Sequence, residues 1–155
     1  MAARIDHQLA GDARSPFSFG GQGDGRIAIT TNWPAADLTA ANIQNVFKFA
    51  RTGRVGNFTI VADADMDTHA TATLTWQVGV DGTATATTTD PNKYMDAVTG
   101  DEAYAGHGTN VQAETTEAGS RVIAGDILTL GTLVAAATGV AGNVTIAFTF
   151  FPEGV

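Results

Sequence analysis

Cysteine is absent from the 155 residues, which excludes disulfides and thiolate metal sites and leaves packing alone to hold the fold. A chain of this length buries about 70% of the surface it exposes when unfolded, so one unstapled core suffices and a single domain is expected. Charge is sparse, at 15% of residues, and positive charge sparser: 8 Lys and Arg stand against 16 Asp and Glu, a formal net charge of −8. Acidic surface repels phosphate, so nucleic acid is not expected as a partner of the main body. No stretch approaches the roughly 18–20 apolar residues of a membrane-spanning helix. Residues 1–15 (MAARIDHQLAGDARS) also lack the apolar run of a secretory leader. The expectation is a soluble protein made in a cytoplasm, with no membrane partner.

Catalytic signatures are as scarce. Serine is rare and no G-x-S-x-G elbow occurs. The three histidines, His7, His69 and His107, have no metal-pair spacing. Asp63-Ala64-Asp65-Met66-Asp67 imitates the start of a calcium loop, but position six is Thr68 instead of Gly and position twelve is Leu74 instead of Glu. On a strand these three acids would share a face and repel unless a cation or a base intervened. A solvated loop between strands is the expected arrangement, and no metal or other cofactor is assigned. Gly21-Gln22-Gly23-Asp24-Gly25 precedes a strand, where a dinucleotide loop must follow one, and reads as a linker.

What the chain does hold is Thr, Ala and 18 Gly, a composition suited to short strands and tight turns. Residues 1–26 are Gly-rich and polar, with Phe17 and Phe19 standing out, and read as an extended N-terminal arm. Residues 27–155 read as one sandwich domain. Arg26 to Thr31 is a strand broken by Trp33-Pro34. Residues 37–41 suggest one helical turn, and Gln44 to Phe49 is again extended. Residues 58–62 alternate. Residues 71–80 do so over a longer run, with Ala72, Leu74, Trp76, Val78 and Val80 on one face. Asp81-Gly82 is a hairpin turn leading into Thr83–Thr89. Asp90-Pro91 has the form of an N-cap followed by a first-turn proline, so a short helix is expected to Val98, stopped by Gly100. Residues 101–120 read as a surface excursion. Strands resume at 121–123, at 126–134 and at 143–151, where Val144, Ile146, Phe148 and Phe150 share a face. The expected fold is all-β: an antiparallel, jelly-roll-like β-sandwich with one short helical insert.

Charge is unevenly placed. Arg4, Arg14, Arg26, Lys48, Arg51 and Arg54 stand against four acids in residues 1–54, whereas only Lys93 and Arg121 offset twelve acids in the rest. A basic leading segment on an acidic body suits contact with an acidic neighbour, though solubility is a competing use. Lys48, Arg51 and Arg54 cluster near one turn. Trp76 lies in an alternating strand and belongs to the core. Trp33 beside Pro34 is either an exposed interface aromatic or a plug at the sandwich end. The candidate protein interface is therefore Arg4, Arg14, Phe17, Phe19, Arg26, Trp33, Lys48, Arg51 and Arg54.

Several segments follow one another in the order seen in small phage virion proteins. They are Val46-Phe47-Lys48-Phe49, Gly53-Arg54-Val55, Asp65-Met66-Asp67-Thr68, Ala72 to Gly79 and Lys93 to Ala97. Ala124-Gly125-Asp126-Ile127 and Ala141 to Ile146 complete the set. Residues 44–150 thus resemble small bacteriophage structural proteins of the head decoration or cement type. The chain departs from their pattern at Phe49-Ala50-Arg51-Thr52-Gly53, where a Leu-Pro-x-Gly run is common. The resemblance implies a non-enzymatic virion protein on the head exterior. Its expected partners are the major capsid protein or other virion subunits and further copies of itself, as a dimer or trimer. A tail or fibre component and a carbohydrate-binding sandwich are the alternatives.

Overall fold

The computed structural model describes residues 25–82, 89–104 and 120–154. Along the chain it contains β1 (Gly25–Trp33), α1 (Ala35–Leu38), β2 (Ile43–Lys48), β3 (Gly53–Ala62) and β4 (Thr75–Asp81). After these come β5 (Asp90–Thr99), α2 (Gly100–Tyr104), β6 (Arg121–Val122), β7 (Ile127–Val134) and β8 (Gly142–Pro152). The strands form two four-stranded sheets, one in the order β1-β8-β3-β6 and the other β2-β7-β4-β5. Pairing is antiparallel throughout: β1 with β8, β2 with β7, β3 with β6 and β4 with β5. The chain is in effect one long hairpin rolled into two layers, the order of a jelly roll.

Period-two alternation decides which face each strand buries. In β1 every odd residue from Gly25 to Trp33 is buried, and in β8 Val144, Ile146, Phe148 and Phe150 are. Between the sheets Phe47, Phe49, Phe58, Tyr94, Phe148 and Phe150 form a run of ring contacts with centroids 4.9–6.0 Å apart. Each such pair adds about 0.5–1.5 kcal/mol beyond the area it buries. At the opposite end Trp33 and Trp76 meet edge to face at 5.0 Å. Trp33 keeps the inward phase of β1, is fully buried, and donates its Nε1–H to Thr31 Oγ1 at 3.0 Å. Trp33 is thus the plug and not an exposed interface aromatic.

Five boundaries differ from the sequence reading. The helix expected over Asp90–Val98 is β5. Asp90 does accept a hydrogen bond from Asn92 N–H, but this is an Asx turn opening an edge strand, not a helix cap. Along β5 the partners of Trp76, Val78 and Val80 are Val98, Met95 and Asp90. Bulges stretch the spacing of these partners to three and five, and the neighbours Tyr94 and Met95 are both buried, which breaks the period-two signal. Gly79 makes this possible, since a Cβ there would overlap the backbone of Asp90 and Pro91. The insert's helix is α2, starting at the glycine expected to end it. β4 begins at Thr75 instead of Thr71 because the N–H groups of Thr73 and Leu74 are taken by the Asp67 carboxylate. α1 lies two residues before the expected turn. Strand β1 starts at Gly25, inside the expected arm; the rest of that arm, residues 83–88 and residues 105–119 lie outside the described residues.

Candidate interface at the basic end of the sandwich

Strand register sorts the charged residues to opposite ends. Gly25 faces Phe150, Lys48 faces Ile127, and Arg54 faces both Phe151 and Arg121. Arg26, Lys48, Arg51, Arg54 and Arg121 therefore share one end. Asp37, Asp63, Asp65 and Asp67 sit toward the other, near Trp33 and the start of β8.

At the basic end the outward face of the first sheet carries a compact patch. One row across the sheet reads Phe151, Arg54, Arg121; the adjacent row reads Arg26, Thr149, Gly56. With strands about 4.8 Å apart and residues about 3.4 Å apart along them, the three arginine Cα atoms lie within roughly 16 Å. Phe151 is 42% exposed. Arg26 reaches across β8 to donate to Asn57 O at 3.1 Å and Thr59 Oγ1 at 3.0 Å. Asn57 lies in the left-handed region (φ 54°) at the β3 bulge, so Arg26 also braces a strained position. Arg121 grips Glu153 through two hydrogen bonds of 3.0 and 3.2 Å. Arg121 holds the Glu153 carboxyl below its usual range and Arg54 adds to the effect, while Glu153 raises Arg121 in return. Of the other described acids at this end, Asp126 is buried and accepts from Ile123 N–H, while Asp81 accepts from Thr89 Oγ1 and Asp90 from Asn92 N–H on the second sheet.

The platform beneath is tied down by loop-to-loop bonds: Phe49 N to Asp126 O, Gly125 N to Phe49 O, Val55 N to Ser120 O and Glu153 N to Thr52 O. Such cross-linking holds the arginines on a firm base. The sequence cluster Lys48, Arg51, Arg54 is split by it. Lys48 is exposed on the second sheet and Arg51 on the rim, while Arg54 joins Arg26 and Arg121. Arg121 and Phe151 were missed by the sequence reading, because only register brings them together. Arg4, Arg14, Phe17 and Phe19 lie outside the described residues.

The acidic triplet has a different use. Asp67 is buried and accepts from Thr73 and Leu74 N–H at 2.7 and 3.0 Å and from Ala137 and Thr138 N–H at 3.1 and 2.9 Å. Burial alone would raise its pKa, but these four donors outweigh it and hold the carboxyl at about 2. Asp63 is lowered by the backbone and side-chain amides of Asn143, which lie at 2.7 Å. Asp65 accepts from Asp67 N–H. Each acid is thus provided with N–H donors, and among the described residues no His, Asp and Glu group suited to a metal ion forms. A shallow groove of about 180 Å³ on the second sheet, lined by Ile43, Asn45, Asp81, Pro91 and Thr129 among others, has no aromatic wall.

No protein-family model matches the sequence, and no curated protein matches it either. Solved structures do. A chain in the capsid asymmetric unit of cyanophage Pam1 superposes with a TM-score of 0.61 at 24% identity, covering 86% of this chain and 89% of that one. The fold is one found in phage capsids. A chain in the capsid of Ralstonia phage GP4 matches with a TM-score of 0.60 at 19% identity over 86% of both chains. One in the capsid of Helicobacter pylori bacteriophage KHP30 matches with a TM-score of 0.52 at 11% identity, over 84% of this chain and 94% of that one.

Proposed function

We propose that this chain is a non-enzymatic structural subunit of a phage particle, a decoration or cement protein that binds across capsid subunits on the head exterior. The carrying observation is the shared fold over 86% of the chain with a subunit of a phage capsid. The basic end supports a docking role. Its arginines and exposed Phe151 are the side-chain types enriched where interfaces concentrate their energy. They also form a positive face on a protein of net charge −8, so an acidic capsid surface would be drawn to this end and the acidic end would face solvent. Modest contacts repeated over many copies then stabilise the shell. Residues 1–24, with Arg4, Arg14, Phe17 and Phe19, extend the contact onto a neighbouring subunit.

The test is co-sedimentation with undecorated capsids of the same phage. Saturable binding at a fixed ratio to the major capsid protein is expected, with binding weakened after removal of residues 1–24. A protein that ignores capsids but joins tails or fibres would overturn the head assignment. The glycan-binding alternative has little support, since the described exposed aromatics, Tyr104 and Phe151, lie at opposite ends and form no row.

A further inference from the structure

Sheet edges invite pairing with other chains, and three of the four edges here are guarded. β6 has two residues. β5 carries Pro91 and Lys93 and two register shifts. β2 is bulged between Asn45 and Phe47 and ends in Lys48. Short edges, Pro, Lys and bulges are the usual means of blocking strand addition. β1 has none of them: its nine residues, GRIAITTNW, pair with β8 without a shift.

The direction of its free groups follows from two bonds. Asn143 exchanges bonds with Asp63 on the β3 side, giving its N–H to the Asp63 carboxylate and its carbonyl to Asp63 N–H. The Asn32–Asn143 pair is therefore a non-hydrogen-bonded one, and Asn32 points its backbone groups away from β8. Gln44 Nε2 accordingly reaches Asn32 O at 3.3 Å. By alternation Arg26, Ala28 and Thr30 present N–H and C=O to the open edge, whereas the Asn32 carbonyl is engaged by Gln44. Arg26, Ala28 and Thr30 are exposed.

We propose that β1 is the seam of a homodimer in which two copies pair antiparallel about Ile29, making the first sheet continuous through eight strands. The strand suits a second copy of itself. Its centre is an inward, odd residue, so full overlap sets Ala28 against the partner's Thr30, with their edge-facing groups in phase, and brings Arg26 beside the partner's Asn32. Its one charge, Arg26, meets an amide and not another charge. The small side chains of Ala28 and Thr30 let the backbones approach. The seam concerns how copies join each other and stands apart from the capsid reading.

The test uses the full chain in sedimentation equilibrium, with hydrogen exchange of the β1 amides. A dimer is expected whose Ala28 and Thr30 amides are protected and lose protection on dilution. Ala28→Pro removes only an edge-facing N–H. It should raise the dimer dissociation constant at least ~30-fold, while Ala28→Ser leaves it unchanged. A monomer at all concentrations overturns the seam, and so does a dimer whose β1 amides exchange freely. A monomer with protected β1 amides overturns it too, by showing that the edge is covered from within the chain.

Discussion

Replacing Asp67 by Asn tests whether a buried carboxylate, and not a cation, ties the two loops at the acidic end. Oδ2 accepts from Thr73, Leu74 and Ala137, and Oδ1 from Thr138. An asparagine turned to keep the first three still sets an NH₂ group against Thr138 N–H, leaving at least one buried donor unpaired at about 1–3 kcal/mol. The charge adds to this. A pKa lowered from 3.8 to about 2 corresponds to roughly 2 kcal/mol, or about 1–2 after allowance for nearby solvent. Asp67→Asn should therefore lose about 3 kcal/mol at neutral pH, a fall in Tm of roughly 6–12 °C. Because the folded-state pKa is depressed, the charge contribution is fully present above the unfolded value of 3.8 and is lost as pH falls through about 2. Urea unfolding at pH 5 and near pH 2 should show the gap between the two proteins narrowing by about 1–2 kcal/mol. A variant within 1 kcal/mol of the parent at pH 7, or a gap independent of pH, would refute the reasoning.

Trp33→Ala should destabilise the fold by about 3–5 kcal/mol in urea titration, as expected of a buried ring facing Trp76; a loss of capsid binding with stability intact would return Trp33 to the surface. Gly79→Ala should lower the unfolding free energy by well over 1 kcal/mol, because the added methyl meets the β5 backbone; a neutral outcome would mean that β5 does not cross there. Arg54→Glu together with Arg121→Glu should abolish capsid co-sedimentation while the far-ultraviolet spectrum stays unchanged. Raising the salt concentration should weaken parental binding, and salt-independent binding would place the contact elsewhere.

Strands with an uninterrupted alternation were legible in the sequence. β1 and β8 read correctly because each buries one face in unbroken alternation, and the Trp76–Val80 part of β4 because its apolar residues alternate in sequence, although both of its faces are buried. β5 did not, because its bulges follow no period of two and its Asp90-Pro91 opening uses the same local hydrogen bond as a helix cap. The start of β4 was hidden for a different reason: the N–H groups of Thr73 and Leu74 answer to Asp67, whose own need for donors arises from burial. The basic turn was visible as Lys48, Arg51 and Arg54. Its real composition was not, since Arg26, Arg121 and Phe151 are distant in sequence and meet only through the β1-β8-β3-β6 order. A chain read in one dimension shows which residues alternate, but not which strands lie side by side.

The most direct test of the central claim is a cryo-electron-microscopy reconstruction of undecorated capsids saturated with the purified protein. Density for the sandwich is expected at regular lattice positions on the head exterior, with Arg26, Arg54, Arg121 and Phe151 against acidic capsid residues and the Asp63–Asp67 loop toward solvent. Capsids left bare, or density docked through the acidic end, would contradict the claim.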